Sequence, residues 1–150
     1  MENKLRKLIL SGEFLKAKPL VKEINQERLD TILSKIGYDE ESICAYSFIC
    51  FLIKDNETVE YHLLACGLMQ TALCHLTGAY QCALYHARRV VEMCPNDMEA
   101  KENLLFFYRL PEKLINDEEA KSIVDAVLKK NPESPIAKSV FDDYFSKNTK

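Results

Sequence analysis

Residues 77–97 read TGAYQCALYHARRVVEMCPND. Between Gly78 and Pro95 the apolar residues recur three and four apart, which is the spacing of one helix face. Gly78 can take the positive φ that a tight turn needs, so it marks where the chain reverses. Pro95 has no N–H and its ring clashes with the preceding turn, so the helix stops before it. Inside this frame Tyr80 is large and Ala83 is small. A wide residue fills space between neighbouring helices, and a small one lets two helices approach closely. The stretch therefore predicts a helix over 79–94 that packs on both sides, with Tyr80 and Ala83 buried.

The same punctuation returns elsewhere. SGEFLKA (11–17) places Gly12, Phe14 and Ala17 as TGAYQCA (77–83) places Gly78, Tyr80 and Ala83. EMCPNDMEA (92–100) and KKNPESPIA (129–137) set Pro95 and Pro132 at the same distance before Ala100 and Ala137. Working outward, helical periodicity predicts helices over about 2–10, 13–24, 26–36, 40–54, 57–76, 79–94, 97–109, 117–130 and 135–147. Pro19 is expected to kink or restart the second. Gly37 is expected to end the third as a left-handed cap. Asp39, Asn56, Asn96 or Asp97, Asn116 or Asp117, and Ser134 are the expected N-caps. The reading is all-α: about nine helices in antiparallel pairs, one domain over 1–150.

Tyr80, Ala83 and Pro95, with Ala120, Val124, Val127 and Pro132 in the next unit and Tyr108 in that unit's first helix, resemble the tetratricopeptide (TPR) repeat family, which pairs two helices in about 34 residues. The resemblance covers 64–132 and, in part, 1–24; residues 26–54 share hairpin geometry without signature residues. Ala87 stands where the family commonly has a larger aromatic, and no Trp or Leu-Gly pair marks the first helices. The resemblance implies a concave surface lined by the first helix of each pair. On it would lie His75 from helix five, Glu99, Glu102, Asn103, Phe106 and Arg109 from helix seven, and Arg6 from helix one. An aromatic and an arginine among hydrogen-bonding neighbours make a set suited to binding protein.

Of the 150 residues, 47% are hydrophobic and 29% charged, enough apolar matter for a core. The net charge of −3 argues against direct nucleic-acid binding. Arg88-Arg89 beside Tyr85 is too small a basic patch to change that. Charge is uneven: Lys4, Arg6, Lys7, Lys16, Lys18 and Lys22 crowd the start, and Glu40, Glu41, Glu57 and Glu60 mark an acidic stretch. No apolar run reaches the ~20 residues of a membrane span, and MENKLRKLIL does not read as a signal peptide, so a cytoplasmic location is expected.

His62/Cys66 and Cys82/His86 are four apart on their helices, as metal ligands can be, but no Cys-x-x-Cys accompanies them. We read the six cysteines as reduced, small core residues and expect neither metal nor cofactor. No nucleophile elbow, phosphate loop, dinucleotide fingerprint or zinc-protease motif is present. The expectation is a non-enzymatic interaction protein. Size and charge suit a stoichiometric inhibitor, such as an immunity protein whose acidic face covers a basic toxin domain, for example a nuclease. The alternative is a chaperone or adaptor holding a partner's peptide in the groove.

Overall fold

In the computed structural model, which describes residues 1–146, the chain forms nine α-helices. They are α1 Glu2–Leu10, α2 Phe14–Val21, α3 Gln26–Glu40, α4 Cys44–Asp55, α5 Val59–Gln70, α6 Ala79–Met93, α7 Met98–Arg109, α8 Asp117–Lys130 and α9 Pro135–Val140. A π-helical turn, Phe141–Phe145, continues α9, and no strand occurs among the described residues. The end of the last predicted helix, residue 147, lies outside them.

Local chemistry sets many of the boundaries. Asn25, Thr58, Asp97, Asn116 and Ser134 each accept a hydrogen bond from a backbone N–H in the first turn that follows. Gly12 and Gly78 hold φ of 74° and 83° at the turns before α2 and α6. α8 opens on Asp117, Glu118 and Glu119 and closes on Lys129 and Lys130, matching the helix dipole at both ends.

Several boundaries differ from the sequence reading. Gly37 does not cap α3; the helix runs on to Glu40, and Glu41 takes the left-handed conformation at φ 50°. Asp39 therefore sits inside α3 and caps nothing, while α4 begins at Cys44, whose N–H bonds the Ser42 hydroxyl. α5 starts after Thr58 rather than at an Asn56 cap and ends at Gln70, not near 76. At Thr71 both the N–H and the hydroxyl turn back onto the Gly67 carbonyl, and residues 71–76 continue as turns. In α2, Pro19 lies two residues before the end, and i→i−3 bonds carry the chain from Lys22 to Ile24.

By its contacts the chain divides into two compact units, Met1–His86 and Ala87–Lys150. The boundary falls within α6. In the first unit α1 packs on α2, α3 and α4, and α3 and α4 pack on α5. Leu5, Ile9, Leu33, Ile36, Phe48 and Ile49 are fully enclosed there. In the second, α7 and α8 pack together, and α9 packs on both. Its centre is Leu105, Phe107, Tyr108, Val124 and Val127. The Tyr108 hydroxyl donates to Asp117 at 2.7 Å; burial first, then that carboxylate, push the phenol up to about 12.

Gly37 has a packing role. A Cβ built on it would stand 2.7 Å from the Ala72 Cβ, an atom fixed to backbone that cannot swing away. Gly37→Ala gains helix propensity of about 1 kcal/mol but must push α3 from the turn after α5. The expected net result is a loss of about 1 kcal/mol in urea unfolding. A stabilised variant would show that α3 and this turn separate without cost.

Candidate functional site

Five of the six residues expected to bind a partner share one stripe of α7, because 99, 102, 103, 106 and 109 follow the helical period. Glu99 is exposed in the first turn, and Asn103 and Phe106 are half-buried. The Phe106 ring meets the Phe107 ring edge-on at 5.2 Å. Glu102 accepts a 2.8 Å hydrogen bond from the Ser134 hydroxyl, which also caps α9. Arg109 lies 3.7 Å from the Asp143 carboxylate. Part of this stripe is thus engaged by the chain's own C-terminal segment. His75 is exposed, but it sits in the turns after α5, not on a helix, and belongs to the first unit. Arg6 is bonded to Glu40, with Asp39 at 3.7 Å.

Two of the four residues of the expected acidic face are bonded within the fold. Glu40 holds Arg6 and Glu57 accepts from His62. Asp55 pairs with Lys18 at 2.6 Å, so the basic start of the chain meets part of the acidic stretch inside one unit. Glu41 and Glu60 are exposed, and the Glu60 carbonyl accepts from the Gln26 amide at 3.1 Å.

A slot of about 300 Å³ opens on the second unit. Val91 from α6, Leu104 from α7, and Ile123 and Ala126 from α8 make its apolar floor. Its rim carries Arg88, Glu92, Lys101, Glu119 and Ser122. Arg88 grips Glu119 through both guanidinium nitrogens, which raises its pKa, and Arg89 turns to Glu92 at 2.9 Å. Lys101 is half-buried and makes no ion pair with a described residue. From sequence, Arg88-Arg89 reads as a basic patch; the carboxylate that neutralises Arg88 lies 31 residues on.

A second feature is hidden in the first unit. His62 on α5 and His86 on α6 are 0% and 2% exposed, and their Nδ1 atoms are 2.8 Å apart. His62 Nε2 is 2.9 Å from Glu57 Oε1, and His86 Nε2 is 2.9 Å from the Tyr46 hydroxyl. The result is one chain, Glu57–His62–His86–Tyr46, that joins α4, the loop after it, α5 and α6. Burial and, after it, the His62 charge push His86 down to about 4. Burial, with Cys50 and Cys82 as neighbours, raises the Tyr46 phenol, and burial raises the Cys50 thiol. The i,i+4 reading grouped each histidine with a cysteine of its own helix; the fold instead pairs the two histidines across helices. Histidines embedded in the apolar periods of two helices were the available signal.

All six cysteines are free and none is exposed. Ala83 is fully buried as expected, whereas Tyr80 is only half-buried. Among the described residues no group of three or more His, Cys, Asp or Glu is placed to hold a metal ion, and no helix is long and apolar enough to cross a membrane. No protein-family model, curated protein or solved structure matches the chain.

Proposed function

We propose that this chain is a non-enzymatic protein-binding protein, and that its partner inserts an apolar side chain into the slot between α6, α7 and α8. The carrying observation is the slot itself: an apolar floor open to solvent and ringed by charge, lined by residues of three helices. Buried apolar contact at the centre with a polar rim is the anatomy of a binding hot spot. The α7–α8 pair with α9 packed on both supports a TPR-like reading of this unit. A mildly acidic charge favours a cytoplasmic stoichiometric inhibitor, such as an immunity protein acting on a basic toxin domain, over a chaperone. Glu40 and Glu57 already have partners in the fold, so steering of a basic partner falls to Glu41 and Glu60.

Affinity capture from the native host with mass spectrometry identifies the partner. Ser122 is exposed at the rim, so Ser122→Trp fills the mouth of the slot without entering the core. Partner affinity is expected to fall by at least ~2 kcal/mol, about 30-fold in Kd. Glu41→Lys with Glu60→Lys is expected instead to slow association and flatten its salt dependence. A captured partner that binds Ser122→Trp as tightly as the parent would remove the slot from the account.

A further inference from the structure

We propose that the His62–His86 pair is an acid-sensitive latch: it holds the first half of α6 on α4 and α5 at neutral pH and lets go when it takes up a second proton. Only one hydrogen fits between two Nδ1 atoms 2.8 Å apart. A carboxylate can only accept, so His62 carries its hydrogen on Nε2, toward Glu57. His62 Nδ1 must then accept, His86 donates from Nδ1, and His86 Nε2 accepts from the Tyr46 hydroxyl. Every member is satisfied and the pair is neutral.

One added proton can be absorbed without opening the site. His62 becomes doubly protonated and donates from Nδ1 to His86 Nδ1. His86 moves its hydrogen to Nε2 and donates to the Tyr46 oxygen, and the Tyr46 hydroxyl turns toward Cys50 or Cys82. The positive charge rests against Glu57. A second proton has no such place. It would set two N–H groups against each other at 2.8 Å and put two charges in a site of 0% and 2% exposure. Among the described residues, the titratable groups around the pair include Tyr46 and Cys50 from α4, Glu57 from the loop before α5, and Cys82 and Tyr85 from α6. Of these only Glu57 is an anion near neutral pH, so one charge is balanced and two are not. The low basicity of His86 agrees with this order.

The test follows the full chain by ring-nitrogen NMR and amide hydrogen exchange from neutral pH to about 4.5. The His86 tautomer is expected to change from Nδ1–H to Nε2–H before any amide opens. At lower pH, protection of the amides in Ala79–His86 should fall about tenfold per pH unit, the slope of one proton. His86→Gln should lose that slope. Tyr46→Phe removes the acceptor that the singly protonated pair needs, so its opening should begin at higher pH. The latch is overturned if protection over Ala79–His86 does not change with pH, or if His86→Gln keeps the parent slope. Should His86→Gln fail to fold, a parent-like profile in Tyr46→Phe is sufficient to overturn it.

Discussion

Ala83→Arg is expected to lower the stability of the protein by about 4 kcal/mol, the largest single effect anticipated for a surface-sized change in side chain. Ala83 is fully enclosed on α6, one turn before His86. A guanidinium at that fully enclosed position would be taken out of water. The substitution adds volume where there is none and charge where water is excluded, and both act in the same direction. Helix propensity does not confuse the result, because arginine and alanine are both strong helix formers. Chemical denaturation of parent and variant, with equal slopes in denaturant, measures the difference directly. A midpoint that moves by less than a tenth of the expected free energy would mean that α6 lies loosely on its neighbours. Glutamine at exposed position 81 provides the matching control: Gln81→Arg should be nearly neutral.

What could be read in advance follows from how far apart the cooperating residues stand. Asp97, Asn116 and Ser134 bond N–H groups three residues on, so each helix start is written within one turn of sequence. Gly78 and Pro95 act on their own backbone and mark α6 correctly. Gly37 shows the limit. As a sequence symbol it resembles a cap; only the turn that follows α5 brings Ala72 against it and gives the missing Cβ a different purpose. Glu102 and Arg109 fall on the predicted stripe of α7, yet their pairing with Ser134 and Asp143 depends on where α9 and its π-helical continuation return. The slot and the histidine chain are further removed. Arg88 meets Glu119 and His62 meets His86 through helix pairing, which single-helix periodicity does not encode.

Acidification is the second large perturbation, and its pH window identifies its source. His86 is depressed from 6.5 to about 4 in the folded protein. The folded state therefore prefers the neutral ring, and the unfolded chain binds the proton first. Stability from this group is complete above 6.5 and is lost as pH falls from there toward about 4. A separation of that size corresponds to a loss of about 3 kcal/mol once both limits are passed. Glu13 and Glu133 are shifted the other way: hydrogen bonds and charge from Lys16 and Lys138 lower them from 4.5. Their contributions are lost only below that value, so they cannot account for a loss that starts near 6.5. Urea unfolding at a series of pH values should thus show stability falling by up to about 1.4 kcal/mol per pH unit between those bounds, the slope of one proton. In His86→Gln this part of the curve should be flat while the lower, carboxylate-dependent part remains. An unchanged decline in that variant would assign the acid sensitivity to groups outside the buried chain and leave His86 as a packing residue alone.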